Sequence, residues 1–273
     1  MINIMVSGNN NVKDGLLIIV LSYLRYNEEP VNIYFLTMDL HEYNPRFVPL
    51  DDEYIEKIRK ILKKKNPKSD IFKVDLTEEV KKDILMKKFR KSSYSPYALL
   101  RLYTDKIDSL PEKVLYLDTD IMILGNIKPL FDLDINGYEF AGGLDYLGRN
   151  WLGIDYQNSG VLLINVKESK STNLFEKCRF FLVNHHPILA DQDALNFTVR
   201  RKKFFPMRYN EQYKKQEDTV IRHFTKTIRF LPFFHTLNVK PWQVDRVHKV
   251  LKTHEYDIIL DEFLEVKKEI NNG

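Results

Sequence analysis

The chain has 273 residues, 44% apolar by type and 29% charged, with 42 basic and 38 acidic side chains and a net charge of +4. It is long enough to bury a core without disulfide or metal staples, too rich in Phe and Tyr for a disordered chain, and too evenly charged for a nucleic-acid binder. The single cysteine, Cys178, excludes an internal disulfide and reads as a small buried hydrophobe in a reducing compartment. Residues 2–6 form a short apolar run that stops at Ser7, Gly8 and three asparagines, a strand followed by a loop. Leu17, Val20, Leu21 and Leu24 have helical spacing within 14–26, and 31–36 reads as a second strand. A helix is expected over 51–65, opened by Asp51 and Asp52 and closed by lysines, as the helix dipole favours. Then come a strand over 71–76, a helix over 78–90, and a helix over 96–107 with Pro96 at a tolerated first-turn position. Residues 114–117 read as a strand, and later strands are expected near 139–144, 160–166 and 219–223. The last stretch is amphipathic and reads as a helix packed on the surface. No apolar run reaches the ~18 residues of a membrane span. The first residues lack the basic region and cleavage site of a secretory leader.

Strands alternating with helices imply an α/β fold with a mainly parallel central sheet covered on both faces. In such sheets ligands bind beyond the carboxyl ends of the strands. Two loops fall at such ends: one from Ser7 to Asn11, the other Asp118, Thr119 and Asp120. The second is the more informative. Two unpaired carboxylates at i and i+2 beside an apolar strand are costly unless a cation neutralises them. Hard oxygen ligands at this spacing suit Mn²⁺ or Mg²⁺ bridging to phosphate oxygens, while a turn or helix cap would use the same residues. Two enzyme classes place Asp-x-Asp after a strand. One is a phosphatase of the haloacid-dehalogenase type, in which the first Asp is a nucleophile near the start of its domain. The other is a nucleotide-sugar transferase. The motif here follows three earlier strands, and Met122 stands where the phosphatase carries Thr or Val, so the transferase is favoured.

At this point the chain resembles glycosyltransferase family 8. The resemblance rests on several elements in order over roughly residues 2–242: the Ser7 to Asn11 loop, the helix bearing Arg101, the strand ending in Asp118 and Asp120, Asn158-Ser159-Gly160, Asp191-Gln192-Asp193, and Lys240-Pro241-Trp242. It implies a GT-A fold: a Rossmann-like sheet fused to a C-terminal acceptor-binding region. In one domain over 1–273, a nucleotide-sugar part is expected over about 1–125, an acceptor side over about 126–245 and a helical tail over about 246–273. The resemblance also implies a UDP-sugar donor (UDP-galactose or UDP-glucose), Mn²⁺ with Mg²⁺ as substitute, and transfer with retention to a saccharide, glycolipid or glycoprotein acceptor. A cytoplasmic protein is expected, with peripheral contact at the inner membrane face left open.

Roles follow by matching position. Asp118 and Asp120 match metal ligands, with Thr119 between them. The third ligand is a histidine after a late strand: His223, at the end of an apolar run, fits best, and His235 competes. Lys240 matches a diphosphate contact. Lys226 stands where the family carries glycine after its histidine, and Arg229 falls at the lysine place, as though a segment were inserted before Lys240. Ser7, Asn9 and Asn11 match uridine-binding positions, although the family often has Asp where Asn9 and Asn10 stand; a plain polar turn is the other reading. Arg101, Asp145, Asn158 and Ser159 match donor-sugar or diphosphate contacts. Asp191 and Gln192 match residues at the sugar's reacting face. Glutamine is a poor nucleophile, which favours front-face displacement over a covalent intermediate. The asparagines in the first loop also leave room for a protein that binds UDP-sugar and has lost transfer.

Overall fold

The computed structural model describes residues 1–83, 85, 95–229 and 235–272, and of Ile228, Arg229 and His235 the backbone alone. Seven strands form the central sheet: β1 (Ile2–Ser7), β2 (Val31–Thr37), β3 (Asp70–Asp75), β4 (Lys113–Leu117), β6 (Phe140–Leu144), β7 (Gln157–Asn165) and β8 (Lys202–Phe204). Their order is β3-β2-β1-β4-β7-β6-β8. The pairs β1–β2, β2–β3, β1–β4 and β6–β8 are parallel. Only β7 runs against the rest, pairing antiparallel with β4 and β6. β7 begins at Gln157, earlier than the expected strand, so Asn158 and Ser159 lie within a strand rather than in a loop before it.

The sheet splits the core into two layers because successive side chains point to opposite faces. Ile4, Val6, Leu115, Leu117, Val161 and Leu163 join one layer. Met5, Val114, Tyr116, Leu162 and Ile164 join the other. The first layer is closed by α1 (Lys13–Tyr26), α2 (Asp52–Lys65) and the terminal helix α5 (Asp257–Asn272). The side chain of Asp51 caps α2 by accepting from the amides of Glu53 and Tyr54. Helix α5 lies on α1, tied by Arg25–Glu262 at 2.9 Å and Lys267–Asp14 at 2.6 Å. The second layer is closed by α3 (Leu174–Asn184), α4 (Ala190–Thr198) and the helical stretch Pro96–Lys106. That stretch is wound more tightly than an α-helix, with i→i+3 bonds such as Ala98 N–H to the Ser95 carbonyl. Of the helix expected over 78–90, Thr77–Lys82 is helical and residues 84 and 86–90 lie outside the described residues. Among the described residues no helix is long and apolar enough to cross a membrane.

Two smaller sheets complete the fold. β5 (Ile121–Ile123) pairs antiparallel with β9 (Ile221–His223), setting Ile121 opposite His223. β10 (Thr227–Arg229) and β11 (His235–Leu237) form an antiparallel pair within the segment that reads as an insertion. From β1 the chain turns outward through β2 to β3, then returns to place β4 on the other side of β1. Strand order therefore reverses between β1 and β4, where open α/β sheets bind ligands. Ser7 and Asp118 sit at the carboxyl ends of these two strands.

Candidate active site

Asp118 follows directly on β4, and β5 begins three residues later at Ile121. The β5–β9 pair brings His223 beside this turn, held further by Phe224 N–H donating to the Asp120 carbonyl at 2.9 Å. One ligand atom from each of Asp118, Asp120 and His223 lies within 4.8 Å of the other two. His223 Nε2 is 3.2 Å from Asp120 Oδ1 and 3.8 Å from Asp118 Oδ2. Asp120 is buried, and Lys240 Nζ meets its other oxygen at 2.5 Å. Burial pushes the Asp120 carboxyl up, but Lys240 and His223 outweigh it and hold the group far below the usual carboxylate range.

Asp118 is oriented from the second core layer. Tyr116 OH donates to its Oδ1 at 2.8 Å, and Ser7 Oγ is 2.8 Å from the same phenol oxygen. The phenol spends its one proton on the carboxylate, so Ser7 donates to it. Arg101 stacks on the Tyr116 ring, 4.2 Å from its centroid, and donates to Asp118 Oδ1 at 2.6 Å. Arg101 also donates to the carbonyls of Ser159 (2.5 Å) and Ala98 (2.9 Å), and its Nε lies 3.2 Å from Asp191. Asp191 is fully buried and accepts from Ser159 Oγ at 3.1 Å. Burial raises its carboxyl more than Arg101 lowers it. Asp191 thus braces Arg101 from beneath the cleft.

A second constellation lies beside the first. Asp145 Oδ1 accepts from the amides of Leu147 (3.0 Å) and Gly148 (2.6 Å). Its Oδ2 accepts from Asn158 Nδ2 (3.0 Å) and Gln192 Nε2 (3.1 Å). Gln192 Oε1 in turn accepts from Ser159 N–H at 3.1 Å. Every polar atom of the Gln192 amide is thus engaged in holding Asp145, Asn158 and the start of β7.

The donor set of the first cluster, two carboxylates and an imidazole, is that of a hard divalent ion. A Cβ on Gly160 would fall 2.2 Å from His223 Cε1 and 2.8 Å from Asp118 Oδ2, so the glycine keeps this space open. The residues fit a Mn²⁺ or Mg²⁺ ion. A second His/Asp group, His248, His254 and Asp257, needs no ion: each imidazole bonds a different oxygen of Asp257 at 2.7 Å.

The family model described as glycosyl transferase family 8 matches residues 3–245. The chain belongs to this family. Lipopolysaccharide 1,3-galactosyltransferase of Salmonella typhimurium is 27% identical over 171 residues, 55% of this chain and 49% of that protein. Lipopolysaccharide 1,2-glucosyltransferase of Escherichia coli is 25% identical over 198 residues, 58% of this chain and 59% of that protein. Glycosyltransferase GlyA of Streptococcus pneumoniae is 34% identical over 93 residues, only 13% of its own length. The chain therefore spans between 13% and 59% of the length of these three relatives. Among solved structures, galactosyltransferase LgtC with donor and acceptor sugar analogs superposes with a TM-score of 0.68, covering 98% of this chain and 96% of that one at 16% identity. The fold is GT-A-like, with the mostly parallel central sheet seen in LgtC.

In this family member the expected site residues gather at the β1/β4 reversal. Ser7, Arg101, Asp118, Asp120, His223 and Lys240 form the first cluster; Asp145, Asn158, Ser159 and Gln192 form the second. The Thr119 carbonyl packs against α1, where a Cβ on Gly15 would meet it at 2.3 Å. Asn9 and Asn11 both donate to the Arg46 carbonyl, at 3.1 and 3.2 Å, and Asn9 Oδ1 accepts from Asn11 N–H. They therefore shape the loop, while Asn10 Oδ1 is buried without a partner among the described residues. The side chains of Arg229 and His235 lie outside those described. Tyr116 and Asn210 are site residues that the sequence did not mark. Tyr116 sits inside an apolar strand, and Asn210 lies in the polar run of residues 208–218 yet is fully buried.

Proposed function

We propose that this family 8 glycosyltransferase is a retaining hexosyltransferase, moving galactose or glucose from a UDP-sugar to a saccharide, glycolipid or glycoprotein acceptor with a bound Mn²⁺. The observation that carries the reading is the convergence of Asp118, Asp120 and His223 at the strand-order reversal, with Lys240 beside them. These three residues would hold the ion. It would act as a Lewis acid that takes up charge on the departing diphosphate. Lys240, which neutralises Asp120 in the structure, is placed to turn to the diphosphate as a point charge. Ser7, Asn9 and Asn11 would line the nucleoside end, and Asn10 Oδ1 offers an unspent acceptor there.

Asp145, Asn158 and Gln192 would seat the donor sugar. The acceptor hydroxyl attacks the anomeric carbon on the face that UDP leaves. The bond to the phosphate oxygen breaks, and that oxygen receives the hydroxyl proton. Gln192 orients the sugar rather than attacking it, since both ends of its amide are engaged. Asp191 is a positioning residue that acts through Arg101. In this reading residues 1–125 serve the nucleotide, 126–245 the sugar and acceptor, and the β10–β11 segment borders acceptor access. The lipopolysaccharide transferases among the relatives support a surface-glycan acceptor, which a cytoplasmic enzyme would meet at the inner membrane face.

The test is UDP release from UDP-galactose and UDP-glucose, with Mn²⁺ and with chelator, by wild type and Asp120→Asn. Metal-dependent release from one donor, lost in the variant, supports the reading and names the sugar. UDP binding with no release from either donor would reduce the protein to a nucleotide binder.

A further inference from the structure

His223 can serve the cluster only if its Nε2, the nitrogen facing Asp118 and Asp120, carries a lone pair. Imidazole in water has no fixed reason to choose that tautomer, so something must impose it. The hydrogen bonds around it identify what does. Gly160 N–H lies 3.0 Å from Asn158 Oδ1. A backbone N–H can only donate, so the Asn158 atom it meets is the oxygen. The other atom that meets this oxygen is the Asn210 amide nitrogen, at 3.0 Å. With that end of Asn210 fixed as the donor, its oxygen is the atom 3.1 Å from His223 Nδ1. An amide oxygen can only accept, so Nδ1 bears the hydrogen. In the neutral ring Nε2 is then left with its lone pair facing Asp120 Oδ1, 3.2 Å away, whereas in the imidazolium a second proton on Nε2 pairs with that carboxylate. With the neutral ring three electron-rich groups converge, an arrangement that a cation reconciles.

A second backbone anchor fixes the same chain from its other end. Ser159 N–H sets Gln192 Oε1 as an acceptor, and that oxygen also receives Asn158 Nδ2 at 3.1 Å. Both anchors agree on the orientation of Asn158. Asn210 is fully buried, and Asn158 and His223 are buried, so these bonds are shielded from bulk water.

We infer that Asn210 is a positioning residue that locks His223 in the Nδ1–H tautomer and ties this ligand to the donor-sugar pocket through Asn158. The inference rests on the metal-holding role proposed above for His223. Partners of metal-bound histidines commonly fix tautomer and ring orientation in this way, and their loss lowers metal affinity by ~10–100-fold.

The experiment is a ¹⁵N-histidine spectrum of the metal-free protein at alkaline pH, with the His223 signal assigned by its loss in His223→Gln. It is paired with Mn²⁺ titration followed by the resonance of the free ion. Wild type should show Nδ1–H at His223. Asn210→Leu should shift the ring toward Nε2–H and weaken Mn²⁺ binding by ~10–100-fold. Asn210→Asp keeps an acceptor for Nδ1–H and should keep the wild-type tautomer. An Nε2–H ring in wild type would overturn the inference without any variant. So would Asn210→Leu with an unchanged tautomer or unchanged Mn²⁺ affinity. If wild type bound no Mn²⁺, the proposed function would lose its metal, and the spectra alone would decide the role of Asn210.

Discussion

Replacing Gly160 with alanine tests whether the cluster is a pre-shaped site. The Gly160 carbonyl accepts from Asp118 N–H at 2.8 Å, so strand pairing pins the backbone there. The new methyl would stand 2.2 Å from His223 Cε1, where ordinary contact begins at 3.4 Å. The ring would have to retreat by the difference, about 1.2 Å. Metal sites hold ligand distances to within ~0.2 Å, so His223 would leave the ligand set. The ring cannot swing freely, because it is buried and its Nδ1 is held by Asn210. Overpacking of this kind costs ~1–3 kcal/mol. In a chain approaching this size each kcal/mol lowers Tm by ~2–4 °C. Gly160→Ala should therefore melt ~2–12 °C lower in chelator and lose at least ~10-fold in Mn²⁺ affinity. Gly125→Ala is the control. Its methyl would meet Val220 at 3.5 Å, an ordinary contact, and its stability should stay within ~1 kcal/mol of wild type. A Gly160→Ala protein that melts and binds Mn²⁺ like wild type would refute the reasoning.

Arg101→Leu should destabilise by ~3–5 kcal/mol, because it leaves the buried Asp191 without its cation and removes a partner of Asp118. A urea midpoint shift at constant slope would measure it, and Arg101→Lys should not restore it, since one ammonium cannot reach partners spread over a guanidinium fork. Burial pushes the Cys178 thiol up to about 12, so the folded protein should resist a neutral-pH thiol reagent that labels the unfolded chain completely. Rapid labelling of native protein would contradict the packing around α3. Asp51→Ala removes the cap of α2 and should cost ~1 kcal/mol in thermal or chemical unfolding. No measurable loss would mean that the start of α2 draws its support from elsewhere.

What the sequence disclosed follows from where each signal is stored. Strands β1, β2 and β4 are covered on both faces, so they stand out as apolar runs, and the Asp118/Asp120 pair is visible because it ends such a run. β8 has no such signature: Lys202 and Lys203 are charged, and the strand is defined by its pairing with β6. The direction of β7 is equally hidden, because an apolar run reads the same in a parallel or an antiparallel pair. Periodicity exposes residues that serve the core. It is blind to residues whose meaning lies in a partner far along the chain. Arg101 looks like any helix-borne arginine until Asp118 and Asp191 are seen on either side of it. Asn210 looks like a loop residue until it stands between Asn158 and His223. The family resemblance supplied the positions of Asp145, Asn158 and Gln192, but not the bonds that make them one unit.

Those bonds give the cleft its physical character. Carboxylates at a strand end would repel one another or take up protons, and either would relax the turn between β4 and β5. Here each negative group has a built counterpart. Arg101 and Tyr116 hold Asp118 from one core layer, and Lys240 holds Asp120 from the other side. Arg101 is sealed in place by the carbonyls of Ser159 and Ala98, whereas Lys240 is only partly buried and sits on a long flexible stem. The two cations therefore differ in kind. Arg101 is a fixed element of the scaffold. Lys240 is a charge on a movable stem, which in the proposed function leaves Asp120 for the diphosphate once a divalent ion takes over the neutralisation. The cleft is in this sense charged and oriented before any ligand arrives, so little reorganisation remains to be done when charge develops on a leaving group.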